Sequence, residues 1–289
     1  MQISLFDMAQ DIDRSVAKAE LVRQAGFARY WVPQVNAADP MVTLGVVATR
    51  VPEIGLGTSV MAMQTTLAQT MAQQARTISQ ISGGRFTLGL GVNHEPVVQN
   101  RWGLPWDKPY SRLVEYLDAL IPLMQEQAVS VSGEYTTHHT EIDVPAPAPS
   151  LMLAALGPRM LRLAADRSDG TITWMTGPKT VEAHIRPHLG ADSHIVSGVG
   201  IVLTNDVDGA RAFANTALAI YPTLPSYRTV MEREGATEAA DMMIIGGPDE
   251  VRAGIAAYRD AGVDELAANI FGSSKDFEAT VELLAEELR

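Results

Sequence analysis

The chain has 289 residues, 46% hydrophobic and 19% charged, with a formal charge of −12 from 22 basic and 34 acidic side chains and no cysteine. Such acidity repels nucleic acid, no basic stripe offsets it, and the missing thiols exclude disulfides, thiolate metal sites and cysteine nucleophiles. The N-terminal MQISLFDMAQDIDRS has no basic segment leading into an apolar stretch, and no apolar run approaches the roughly 18 residues of a membrane helix. A cytoplasmic enzyme acting on a small molecule, with no nucleic-acid or membrane partner, is expected.

In chain order, Ile3–Phe6 reads as a strand and Asp11 to Ala25 as a helix stopped by Gly26. Arg29–Pro33 is the next strand, Met41 to Arg50 a helix, Ile54–Val60 a strand. Thr66 to Ile81 is helical and ends at Gly83-Gly84, before the strand Phe86–Val92. Lys108 to Gln127 presents Leu113, Tyr116, Leu117, Leu120 and Leu123 on one face, as an amphipathic helix does. Val129–Val144 alternates around Gly133 and reads as a decorating hairpin whose His138-His139 pair is a surface feature, adjacent strand residues facing opposite sides. Leu151–Ala155 is a strand, Pro158 to about Arg167 a helix, and Thr171–Met175, Ser197–Leu203 and Leu266–Phe271 are further strands. Tyr221–Asp241 reads as one or two inserted helices. Eight strands, each followed by a helix with no linker between, favour one closed α/β barrel domain over residues 1–289 rather than two open Rossmann halves.

Such barrels build their active sites at the C-terminal ends of the strands. Those ends carry Gln34, Ser59-Val60, Ala62, Val92-Asn93-His94, Leu156-Gly157-Pro158-Arg159 and Trp174, with no Asp/Glu/His set at metal-ligand spacing. Gly89-Leu90-Gly91 lacks full dinucleotide-fingerprint spacing and suits the close approach of a ring or a backbone. Leu156-Gly157-Pro158-Arg159 opens a helix whose first N–H groups can hold an anion; the alternative is a plain strand-to-helix turn with a solvated arginine. His94, with an ordinary pKa near 6.5, suits proton transfer at neutral pH, or is simply structural. Trp174 either lines a substrate pocket or packs.

These strand ends resemble the luciferase-like monooxygenase superfamily, in particular its F420-dependent oxidoreductase branch. The resemblance is carried by Ile54-Gly-Leu-Gly-Thr-Ser-Val60, by Ile81-Ser-Gly-Gly-Arg-Phe-Thr-Leu-Gly-Leu-Gly91, and by Ala154-Ala-Leu-Gly-Pro158. Ala165 to Gly170, Trp31-Val-Pro-Gln34, Trp174-Met-Thr-Gly-Pro178, Gly246-Gly-Pro-Asp-Glu250 and Tyr258 to Gly262 extend it over nearly the whole chain. It implies a (β/α)8 TIM-type barrel of the bacterial-luciferase-like kind with insertions, forming a homodimer. Its cofactor would be coenzyme F420, with FMN as the alternative. The matching cofactor residues are Gln34, Ser59, Val60, Ala62, Val92, Asn93, His94, Leu156, Gly157, Arg159 and Met160. The resemblance also implies a cis bond at Ser59–Val60, behind the ring.

Two departures bear on the reaction. The branch's sugar-phosphate dehydrogenases carry an Asp-His pair where Gln34-Val35 stands, and a glutamate where His94 stands. Losing that proton acceptor disfavours alcohol oxidation and favours a reductase with His94 or water as the proton source. Trp174 is then a substrate contact. An FMN-dependent monooxygenase and an idle F420- or flavin-binding protein are the competing readings. Arg159 and Arg162 favour F420, whose tail is anionic.

Overall fold

The computed structural model describes residues 1–288, and in it the apolar runs become strands and the periodic stretches helices, in the expected order. The strands are β1 (Gln2–Phe6), β2 (Arg29–Val32), β3 (Gly55–Thr58), β4 (Met61–Ala62), β5 (Phe86–Gly91) and β6 (Val129–Ser132). They continue with β7 (Thr137–Thr140), β8 (Ser150–Ala154), β9 (Gly170–Trp174), β10 (His194–Leu203), β11 (Ile244–Gly246) and β12 (Glu265–Ile270). Hydrogen bonding orders eight of them β10-β12-β1-β2-β3-β5-β8-β9, and β9 pairs back onto β10. The pairings β1–β12, β1–β2, β3–β5, β5–β8, β9–β10 and β10–β12 are parallel, so the sheet is a closed (β/α)8 barrel. These eight are the strands read from the sequence. Short β4 continues β3 and also pairs with β5.

The chain clusters into two interleaved compact units. The first comprises Met1–Asp7, Lys18–Trp31 and the chain from Ala155 on. Its core includes Ile3, Leu5, Ile172, Ile195, Val199 and Leu266, all buried. The insertion expected at Tyr221–Asp241 is the helix Pro225–Glu234 between one-turn helices at Tyr221–Thr223 and Ala239–Met242. It buries Leu224, Tyr227, Val230, Met231 and Ala240 in an apolar cluster with Leu218 and Met243. After it comes β11, paired with β10, which the sequence reading did not anticipate. The three residues Ile244–Gly246 are too few to show a period.

The second unit comprises Met8–Ala17 and Val32–Ala154. Helix Ala68–Ser82 packs on helix Pro109–Met124, which buries Leu113, Leu117, Leu120 and Leu123 as its periodicity requires. The first of these helices ends at Gly83 with φ 66°, a left-handed cap that favours glycine. The second ends three residues before the expected Gln127, and its last carbonyl, that of Met124, needs a partner from outside the helix. Buried Arg76 supplies it, donating to Met124 O at 2.5 Å and to the carbonyls of Val144 and Ala146, and pairing with Glu126. Strands β6 and β7 form the hairpin, antiparallel. The surface assignment of its histidine pair needs correcting. His139 is exposed beside Ser130 and Ser132, but His138, on the opposite face, is buried.

Candidate functional site

In the second unit the chemistry gathers where β3 and β5 end. Thr58 Oγ1 donates to Gly89 O at 2.8 Å and accepts from Gly89 N at 2.9 Å. A methyl group at Gly89 would lie 1.9 Å from Thr58 O, and one at Gly91 would lie 3.1 Å from Val60 Cγ2. Gly89 therefore admits the backbone of Thr58, and Gly91 the side chains of Ala154 and Val60. The Ser59–Val60 peptide is cis. Ser59 N donates to Val32 O at 2.9 Å, while its buried hydroxyl has no hydrogen-bond partner.

Gln34 pins the other side of this bulge. Its Oε1 accepts from Ala62 N at 2.8 Å, its Nε2 donates to Thr65 Oγ1 at 3.1 Å, and its backbone N reaches Val60 O at 3.4 Å. This side chain thus holds the loop. Ala62 itself is buried. Beyond β5, Val92, Asn93 and His94 are all half-buried. Asn93 takes φ 59°, where asparagine is better tolerated than most residues, and its Oδ1 accepts from His94 N at 2.7 Å. Burial holds the His94 imidazole below its ordinary pKa, because desolvation disfavours the cation. Gln64, which the sequence reading passed over, follows the bulge. Its Nε2 donates to Val92 O at 2.5 Å, and its Oε1 is buried without a partner. A glutamine two residues past β4 carries no motif that would have singled it out.

In the first unit, Gly157 caps helix Pro158–Arg167 with no side-chain acceptor, and Pro158 occupies the first turn as expected. Gly157 and Arg159 are exposed, and Leu156 and Met160 half-buried. The Leu156 carbonyl is held by His184 Nε2 at 2.9 Å. A carbonyl only accepts, so that nitrogen carries the hydrogen. His188 Nδ1 in turn donates to His184 O at 2.7 Å. Burial, first, lowers the His184 pKa.

Trp174, at the end of β9, stacks on Phe6 with ring centroids 5.0 Å apart and meets Tyr221 of the insertion at 6.4 Å. Gly198 makes room for it, since a methyl group there would lie 3.0 Å from Trp174 Cε3. Trp31 is core instead, its Nε1 donating to buried Glu265 at 2.6 Å. Among the described residues no group of His, Asp or Glu is arranged to hold a metal, and no helix is long and apolar enough to cross a membrane.

A closed parallel barrel with a cis, glycine-backed bulge at the end of β3 defines a class, and comparison with known proteins agrees. The luciferase-like monooxygenase family model matches residues 2–265, and the chain belongs to that family. It is similar to the 5,10-methylenetetrahydromethanopterin reductase of Methanolobus tindarius, at 27% identity over 93% of this chain and 94% of that one. It is also 26% identical to a putative coenzyme F420-dependent oxidoreductase of Mycobacterium tuberculosis, over 85% of this chain and 88% of the relative. The coenzyme F420-dependent tetrahydromethanopterin reductase of Methanopyrus kandleri shares the fold, with a TM-score of 0.82 at 21% identity and coverage of 99% and 97%.

Proposed function

We propose that this chain is an F420-dependent oxidoreductase that works as a reductase, moving a hydride from the reduced deazaflavin to an unsaturated small organic molecule. The observation that carries it is the end of β3 and β5: a Ser59–Val60 bulge packed on Gly89 and Gly91, a buried Ser59 hydroxyl with no partner, and a half-buried histidine beyond them. A planar heterocycle with N–H and C=O edges fits that set of donors, acceptors and small residues. Ser59, Val60, Ala62, Val92, Asn93 and His94 are assigned to the ring, with Gln34 keeping their loop in place. Leu156, Gly157, Arg159 and Met160 are assigned to the phosphate, through backbone N–H groups and one guanidinium. When bound, the reduced cofactor supplies a hydride. His94 supplies the proton that the reduced substrate then needs, and Trp174, with Tyr221 beside it, lines the substrate's side.

Two findings support F420 over FMN: the similarity to a relative named for F420, and the exposed guanidinium of Arg159, suited to an anionic cofactor. The family's own description as monooxygenase keeps an FMN reading in play. Fluorescence titration of the purified chain with F420 and with FMN separates them, followed by oxidation of reduced F420 against a panel of unsaturated compounds. Tight F420 binding with turnover is expected. FMN binding with oxygen consumption would replace this reading, and F420 binding with no turnover on any compound would mark an idle carrier.

Arg159→Ala is expected to raise the F420 dissociation constant about tenfold, the low end for charge-assisted pairing to phosphate because the side chain is exposed. An unchanged constant in the same titration would return Arg159 to a solvated surface role.

A further inference from the structure

Gln64 stands with its two amide atoms in opposite situations. The donor is committed, 2.5 Å from Val92 O, and since a carbonyl cannot donate, the orientation of the amide is settled by chemistry. The acceptor, Oε1, is buried and has no partner. The large majority of buried polar atoms are paired, so an orphaned acceptor beside a candidate binding loop is a place for a ligand's donor. Gln64 lies in the single turn Met63–Thr65 directly after β4, so the same short segment carries the bulge and this amide. On its committed side it holds the carbonyl from which the chain turns through Asn93, at φ 59°, into His94. The turn has a second tie, from Asn93 Oδ1 to His94 N, but the carbonyl before it is held by Gln64.

We propose that Gln64 is a positioning residue with two linked tasks: its Nε2 fixes the Val92–His94 turn, and its Oε1 receives the imide N–H of the bound flavin-type ring. The second task rests on the reading of this loop as the ring's seat; the first does not. Cofactor binding and placement of the proton donor are then coupled through one amide, since a ring N–H drawing on Oε1 polarises the same group that grips Val92.

Three variants separate the tasks. Gln64→Met keeps the length and loses both hydrogen bonds. Gln64→Glu keeps an acceptor and loses the donor. Gln64→Asn keeps the chemistry on a shorter arm. Two measurements are made on each. The first is titration of the His94 imidazole by NMR in the cofactor-free protein. Methionine and glutamate are expected to move that titration away from its wild-type midpoint, with asparagine between them and wild type. The second is binding of lumiflavin and of N3-methyl-lumiflavin, which lacks the imide hydrogen. Wild type is expected to prefer lumiflavin about tenfold, and Gln64→Met to lose the preference. A His94 titration unchanged in folded Gln64→Met overturns the first task. Equal binding of the two rings by wild type overturns the second. Failure of either ring to bind wild type, with F420 and FMN also failing, overturns the cofactor reading and the second task with it, and leaves the NMR result to decide the first.

Discussion

Replacing His94 with asparagine is expected to slow single-turnover reduction about a hundredfold while leaving F420 affinity within a fewfold, the low end of what a positioned acid contributes. Hydride addition to an activated double bond leaves a carbanion-like centre, and an imidazolium is the group on the β5 loop able to protonate it. From composition alone the acid limb belongs near pH 6.5. The structure moves it down, because burial disfavours the cation and lowers the His94 pKa. The sign follows directly. The acid form is the minor species at pH 7, so the rate should rise as pH falls below about 6.5 and level off only beneath the lowered pKa. In His94→Asn that limb should vanish. Asparagine keeps a polar group of similar reach, so a variant that binds F420 poorly yet turns over normally at saturation would make His94 a ligand-positioning residue. Water would then be the proton source.

How much of this was legible beforehand differs from element to element. All eight barrel strands were readable, because each is a short apolar run closed by glycine, proline or a polar turn. Helix Pro158–Arg167 was readable to both ends, with Pro158 in its first turn and Ser-Asp-Gly after it. Cis Ser59–Val60 came from the resemblance, not from any local signal. What stayed hidden depends on distant partners. Gln64 matters because of a carbonyl 28 residues away. His184 is bonded to a carbonyl at the same separation, 28 residues. His138 is buried by its position on one face of the hairpin, which alternation shows without telling which face is inward. Gln34 was read as a contact for a ring edge, and nothing in the sequence shows that its amide also bonds residues 62 and 65. Polar side chains that serve the backbone leave no pattern in sequence, because any segment can supply the backbone atom.

Glu265 is the extreme case of such a residue, and its loss is expected to be the most damaging to stability. It opens β12, fully buried, in the first unit. Oε1 accepts from Ser4 Oγ at 2.5 Å and from Trp31 Nε1 at 2.6 Å, partners 261 and 234 positions away in sequence. Arg29 lies 3.5 Å from Oε1 and His194 Nε2 3.6 Å from Oε2, beyond a good hydrogen bond but within electrostatic reach. Burial alone would push this carboxyl up; His194, Arg29, Ser4 and Trp31 together outweigh it, and the pKa stays below the usual carboxylate value. A carboxylate lowered in this way stabilises the fold above its unfolded pKa of about 4.5, and that contribution is lost as pH falls through the lower folded value. Glu265→Leu removes the charge and leaves the buried indole N–H and the Ser4 hydroxyl short of their acceptor. Breaking a buried pair from one side costs roughly 3–5 kcal/mol, a fall in Tm of roughly 6–20 °C at about 2–4 °C per kcal/mol. Glu265→Gln keeps an acceptor for Ser4 and Trp31, so it should lose less at pH 7. It should also flatten the acid limb of the denaturation profile, where wild type weakens below about pH 4.5. Calorimetry of the three proteins from pH 3 to 8 measures both effects. A Glu265→Leu variant melting within 2 °C of wild type at pH 7, or a Gln variant with the wild-type acid limb, would show that the cluster packs this end of the barrel without its charge mattering.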